Sequence, residues 1–191
     1  MSKISEVFEL YRLFGEANYI GEDVSQLEHA TQVALLAEKD NQSYSVIIAG
    51  FLHDIGHLVK MNDPNAQMGN LGVKSHEKVG SYYLREHGFP EDVCNLVENH
   101  VSAKRYLSAK YPDYVNRLSS ASVGSMKQQG GAMTNAEILQ FETDPLLDMY
   151  IKLREYDDKA KDNSTEMLNY IHSMNPVEYY YKMAIANLQF R

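Results

Sequence analysis

The chain has 191 residues, 44% of them hydrophobic and 23% charged, a balance that suits one globular domain over residues 1–191 and excludes a disordered or fibrous chain. Its formal net charge of -8 argues against nucleic acid as the main partner, since phosphate binding needs a basic face, but leaves room for a local basic pocket around a small anion. A single cysteine, Cys94, excludes an intramolecular disulfide and a thiolate metal cluster; with no signal-peptide core over residues 1–16 and no apolar run of about 18 residues, the expectation is a cytoplasmic protein.

Taken in order, Ile4, Val7, Phe8, Tyr11 and Phe14 recur at helical spacing and predict an amphipathic packing helix over residues 4–16. After a short loop at 19–22, Ser25 or Asp23 is placed to cap a second helix, whose apolar face includes Leu27, Ala30, Val33 and Ala37. His29 lies beside that stripe, where a lone histidine is more often a satisfied core residue than a ligand. Residues 44–59 lack proline, and Val46, Ile47, Phe51, Leu52, Ile55 and Leu58 recur mostly three or four apart, predicting one largely buried helix. It carries His53, Asp54 and His57, with the two histidines one turn apart. A carboxylate and imidazoles in such surroundings need hydrogen-bond partners, a counter-charge or a metal, and a buried Asp bonded to His meets that need without an ion.

The Gly-, Asn- and Pro-containing stretch 60–74 is long enough to form a pocket wall or lid. Ser75 is placed to cap a helix that begins at His76 and runs to Gly88. Pro90 and Glu91 open the next, with Val93, Leu96 and Val97 facing inward and His100 and Lys104 further along. A helical piece interrupted at Pro112 is expected over 106–118, followed by a small, polar loop over 119–131 able to bring backbone amides and hydroxyls close to a ligand. Helices are expected again over 134–141 and 144–156, the second closing on Arg154, Asp157 and Asp158, which read most plainly as a solvated charged end. A polar connector at 159–164 and a last amphipathic helix from Pro176 through Phe190 complete the chain. With no period-2 strand series and no repeat, the predicted fold class is all-α.

His29, His53, Asp54, His76, His100 and Asp157 together make a set of nitrogen and oxygen donors, each on a predicted helix or at a helix junction. Imidazole suits iron, zinc and copper, while carboxylates suit harder cations and bridge pairs of them. Four His and two Asp exceed what one metal needs if it must keep a position open for substrate. Two metals sharing Asp54 would use the set economically.

The helix-borne His29, the later pair His53-Asp54 and the distant Asp157 resemble the pattern of the HD-domain superfamily, and His76 and His100 resemble its dinuclear branch. Further pieces, among them Tyr19-Ile20-Gly21-Glu22, His76-Glu77-Lys78-Val79-Gly80, Gln129-Gly130-Gly131 and Arg154-Glu155-Tyr156-Asp157, narrow the resemblance. They are similar to the mixed-valent diiron oxygenases of that superfamily that cleave the carbon-phosphorus bond of 1-hydroxyphosphonates, distant relatives of myo-inositol oxygenase. The resemblance implies an HD-domain helical bundle with His29, His53, Asp54 and Asp157 at one iron, and Asp54, His76 and His100 at the other. It implies Tyr19 as the residue that occupies the second iron before substrate arrives, Glu22 as its gating partner, and His57, Lys104, Ser122 and Arg154 as phosphonate contacts. A cationic, multidentate donor set is also what a phosphonate dianion asks for.

Two Fe ions, Fe(II)/Fe(III), and O2 as co-substrate are implied with it. The implied substrates are (R)-1-hydroxy-2-(trimethylammonio)ethylphosphonate or 2-amino-1-hydroxyethylphosphonate, giving phosphate and glycine betaine or glycine. The 14 tyrosines lean toward the trimethylammonium compound, which tyrosine faces attract. No nucleic acid, membrane or obligate protein partner is implied. An HD-domain metal-dependent phosphohydrolase using the same ligands is the alternative, and a metal-stabilised binding domain without turnover is a third.

Overall fold

In the computed structural model, which describes residues 2–19 and 21–188 (backbone alone at Leu188), the apolar spacings resolve into an all-α bundle. No strand occurs among the described residues, only the isolated bridges Asn18 to Ser25 and Gln67 to Val73. Ile20 of the 19–22 loop, and residues 189 and 190 of the expected last helix, lie outside the described residues.

Helix α1 (Lys3–Phe14) buries Val7, Phe8 and Tyr11, as its spacing predicts. Ser25 caps α2 (Gln26–Lys39) in a capping box: its hydroxyl accepts from Glu28 N, and Ser25 N donates to Glu28 Oε2 at 2.6 Å. The predicted single helix over 44–59 is instead two, α3 (Tyr44–Leu52) and α4 (Ile55–Val59), broken at His53-Asp54, where Asp54 takes φ -101° and ψ 11°. Two contacts account for the break. His53 Nδ1–H donates back to Gly50 O at 2.8 Å, and α4 lies backbone to backbone against α5 (His76–Glu86). A Cβ on Gly56 would fall 2.0 Å from His76 O, so only glycine permits that approach.

The 60–74 stretch holds two 3-10 turns, Pro64–Ala66 and Gly69–Leu71, pinned by Met68 N donating to Gly72 O at 2.7 Å. Ser75 precedes α5 in the left-handed region (φ 54°), and its side chain makes no cap bond; its carbonyl accepts from Lys78 and Val79 N instead. Helix α6 (Glu91–Lys110) runs further than expected and takes in residues 106–110, with Pro112 opening the short α7 (Pro112–Val115).

Residues 119–131, read as a loop, largely form α8 (Ser120–Gln128): Ser119 Oγ accepts from Ser122 N, and Met126 is buried beneath it. Helices α9 (Asn135–Phe141) and α10 (Leu147–Lys159) follow, the first with a Thr134/Glu137 capping box. Helix α11 (Thr165–Met174) was not anticipated; Ser164 caps it, Ile171 is fully buried, and Asn175 closes it at φ 51° before Pro176 opens α12 (Pro176–Leu188).

The core lies where α2 packs on α3 and where α3 and α10 pack on α6. Val33, Ile48, Phe51, Leu96 and Leu153 are wholly buried there, each worth about 1.5–3 kcal/mol of apolar transfer. No helix among the described residues is long and apolar enough to cross a membrane.

Candidate dinuclear metal centre

Five elements deliver polar side chains to one buried point inside this core. His29 comes from α2, His53 and Asp54 from the α3–α4 break, His76 from the first turn of α5, His100 from α6 and Asp157 from α10. All six are at most 6% exposed. Around one oxygen of Asp54, Oδ2, His53 Nε2 lies at 3.2 Å and His29 Nε2 at 3.9 Å, while Asp157 Oδ1 is 3.3 Å from His29 Nε2 and 3.8 Å from His53 Nε2. Around the other, Oδ1, His76 Nε2 lies at 3.2 Å and His100 Nε2 at 3.5 Å, with 3.1 Å between those two nitrogens. Asp54 therefore turns one oxygen to each cluster.

The spacing suits metal ions. Ligand atoms about 2.1 Å from one ion and about 90–110° apart sit roughly 3.0–3.5 Å from each other. The tautomers suit them as well, because each of four histidines spends Nδ1–H on a backbone carbonyl: His29 on Ala160 O at 2.8 Å, His53 on Gly50 O at 2.8 Å, His76 on Val73 O at 3.3 Å and His100 on Val97 O at 2.7 Å. In the neutral ring each Nε2 then carries a lone pair directed into its cluster, the usual outer-shell device of a metal-binding histidine. His57 is wired the other way. Its Nδ1 accepts from Val73 N at 3.1 Å, so in the neutral ring Nε2 bears the proton and is a donor. Burial, reinforced by the neighbouring His76, pushes its pKa down to about 3 and keeps the ring neutral.

Without an ion the cluster must find its own counter-charge. Burial would lower His53, but Asp54 and Asp157 raise it to about 9. Burial would likewise raise both carboxyls; His53 and His76 hold Asp54, and Arg154 with the neighbouring His29 holds Asp157, well below the usual carboxylate range. A protonated imidazole there does the electrostatic work a metal cation would do.

A cavity of about 50 Å³ opens beside the Oδ1 cluster, lined on one wall by Asp54, His57, Lys104 and Arg154 and on another by Ala121, Ser122, Ser125 and Gln129 of α8. Lys104 is 4% exposed and donates to Ser125 Oγ at 3.1 Å; burial, with Arg154 nearby, pulls its pKa down to about 7. Arg154 and Asp157, a solvated helix end on the plainest reading but a phosphonate contact and a metal ligand by the resemblance, are each 3% exposed, so the end is not solvated. Arg154 donates from Nη1 to Asp157 Oδ2 at 2.7 Å, from Nη2 to Asp158 and from Nε to Tyr114 Oη at 3.2 Å. Tyr19 is stacked on His29 with ring centroids 3.9 Å apart, and burial next to Asp54 raises its phenol well above the ordinary value. Among the described residues it is also the one tyrosine of the cavity wall. Glu22 lines the cavity too, but its carboxylate is bound by Lys161 Nζ at 2.7 Å.

The expected site residues thus meet in one place. Sequence reading did not single out Ser125, Leu71 or Lys161, and Gln129 entered only within the piece Gln129-Gly130-Gly131, with no role assigned. Once α8 is seen as a helix, Ser125 and Gln129 follow from Ser122 at steps of three and four; Leu71 and Lys161 carry no local signal, since each arrives through tertiary packing.

An all-helical bundle with a carboxylate shared between two histidine clusters defines a protein of the metal-binding His–Asp class. The HD domain matches residues 27–139, and the chain belongs to that family. It is 42% identical over 188 residues (98% of this chain, 83% of the relative) to an uncharacterized protein of Acanthamoeba polyphaga mimivirus. Two further relatives carry functional names. A 1-hydroxy-2-(trimethylamino)ethylphosphonate dioxygenase (glycine-betaine-forming) of Leisingera caerulea is 39% identical over 158 residues, covering 83% of this chain and 80% of the relative. A hydroxymethylphosphonate dioxygenase of Gimesia maris is 41% identical over 160 residues, covering 83% and 78%.

Proposed function

We propose that this protein is an iron- and O2-dependent oxygenase that cleaves the carbon-phosphorus bond of a small 1-hydroxyphosphonate, releasing phosphate and a carboxylic acid. The oxygenase class rests on the two dioxygenase-named relatives. The dinuclear reading rests on one observation, the division of Asp54 between two clusters of lone-pair donors. His29, His53, Asp54 and Asp157 would hold one iron, and Asp54, His76 and His100 the other. Bound there, a redox-active pair would offer open coordination positions and relay to O2 the electrons that the substrate's C–H and C–P bonds give up.

The protein's own groups bind and orient the substrate. The Lys104 ammonium, the Ser122 hydroxyl, the His57 Nε2–H and the N–H groups that Arg154 has left after its three partners are donors for the phosphonate oxygens. Those same charges stabilise the phosphate as it leaves. The narrow cavity excludes most water, and the Tyr19 phenol beside Asp54 covers the cluster until substrate takes its place. For the substrate's tail, the trimethylammonium and amino compounds remain the proposal, the first supported by the Leisingera caerulea relative, although a single tyrosine faces the cavity.

Simultaneous measurement of O2 uptake and phosphate release by the iron-loaded protein tests this reading. One O2 consumed per phosphate is expected with a 1-hydroxyphosphonate. Phosphate release that continues undiminished without O2 would make the protein a hydrolase instead.

A further inference from the structure

Lys161 lies outside the set of residues discussed for the reaction, yet it holds Glu22, among the described residues the one carboxylate of the cavity wall outside the candidate metal cluster. Its Nζ donates to Glu22 Oε1 at 2.7 Å and to Ser119 Oγ at 3.2 Å. The pair is largely withdrawn from solvent, at 20% and 18% side-chain exposure. Nor is Lys161 free to drift. The next residue, Asp162, is clamped to α2 by two bonds, Gln32 Nε2 donating to Asp162 O and Asp162 N donating to Gln32 Oε1, both at 2.9 Å, and Gln32 is itself buried. Ser119 in turn caps α8, the helix that presents Ala121, Ser122 and Ser125 to the cavity. A cation anchored on α2 therefore sits behind Glu22 and fixes it against the start of α8.

The electrostatic consequence concerns the substrate's carbon tail. Lys104 and Arg154 line the cavity as cations for the phosphonate, so a positively charged tail is drawn to a carboxylate, and among the described residues Glu22 is the lining carboxylate outside the candidate metal cluster. That anion is already matched. An ammonium reaching Glu22 must share it with Lys161 and meets the like charge behind it, in a partly desolvated setting where such repulsion is weakly screened. A substrate whose tail has no charge meets neither effect.

We propose that Lys161 is a specificity-determining residue that sets, through Glu22, how well a cationic substrate tail is accepted relative to an uncharged one. The inference rests on the hydroxyphosphonate reading of the site. A bland alternative is that Lys161 merely ties the segment after α10 to the 19–22 turn, which would affect every ligand alike.

Anaerobic titration calorimetry on the iron-loaded protein separates the two, with hydroxymethylphosphonate, 2-amino-1-hydroxyethylphosphonate and its N-trimethyl analogue as ligands. In Lys161→Met the affinity for the two cationic ligands, relative to hydroxymethylphosphonate, is expected to rise on the order of tenfold, the size of one partly buried like-charge contact. Lys161→Arg, which keeps the charge, is expected to retain the wild-type ratio. A ratio unmoved or lowered in Lys161→Met overturns the proposal, and so does a Lys161→Arg variant that behaves like Lys161→Met. Should the wild-type protein bind none of the three, the hydroxyphosphonate reading fails and takes this inference with it; binding without O2-dependent turnover would count against the oxygenase reading alone.

Discussion

Arg154 serves three groups at once. It clamps Asp157 and Asp158 with two nitrogens and reaches Tyr114 with the third, while lining the cavity. Replacing it by Ala would strip buried Asp157 of its guanidinium partner and leave it only the imidazoles of His29 and His53, a loss of up to about 3–5 kcal/mol, the value when one partner of a buried pair is removed. Arg154→Ala is therefore expected to lower iron content as well as substrate affinity, which metal analysis of the purified variant checks. Lys104 makes no such contact with a ligand carboxylate, so Lys104→Met should keep its iron and lose roughly 10- to 100-fold in phosphonate affinity, the value of one or two charge-assisted hydrogen bonds. Burial and Arg154 have drawn Lys104 down to about 7. A lysine holds its charge below its pKa, so in the free protein the cation is present below about pH 7 and is lost above it. KM for the phosphonate should accordingly rise as pH climbs through that range, with the Lys104 contribution to the slope absent in Lys104→Met.

The break between α3 and α4 is what converts a helical stripe into a candidate metal site. In one unbroken helix His53 and His57 would face the same way; the break lets His53 join the Oδ2 cluster, while His57 stacks on His76 at 4.1 Å. Gly56 holds the second half of that turn, because its α-carbon faces the His76 carbonyl with no room for a methyl. Gly56→Ala must push α4 off α5 and carry His76 with it; a loss of roughly 3 kcal/mol is expected, read as a lowered denaturation midpoint. The position of the polar pair was legible in the sequence, but the break was not, since apolar spacing alone continues smoothly through 44–59. Residues 119–131 failed for the opposite reason. Four serines and three glycines weaken helix propensity, and what makes the helix is tertiary: Met126 buried against Ser108, and Leu71 packed on Gly124. Of the two caps offered for α2, Ser25 and Asp23, Ser25 is the one that forms, in a capping box with Glu28.

At the scale of the whole molecule, the bundle gathers donors from residues 29 to 157 into its own interior and leaves two carboxylates and four imidazoles there. The identities of these six were readable as a pattern; their wiring was not, because the carbonyls that fix each tautomer, Ala160 and Gly50 among them, are chosen by the packed backbone. Burying these groups is costly without compensating charge, so a metal bound at this candidate site would add to the stability of the fold. At a free metal concentration of about 1,000 times Kd that coupling is worth about 4 kcal/mol, or roughly 10 °C in Tm for a chain of this size. Stripping the metal with a chelator should lower Tm by that order in a differential scan, and restoring iron should recover it. In the proposed centre one carboxylate, Asp54, serves two irons. Elemental analysis of the wild-type protein and Asp54→Ala, purified and iron-loaded side by side, tests it most directly. Two irons per folded wild-type chain and fewer than about one in folded Asp54→Ala are expected, since the variant loses a ligand at both positions; two irons retained by Asp54→Ala would contradict the shared carboxylate.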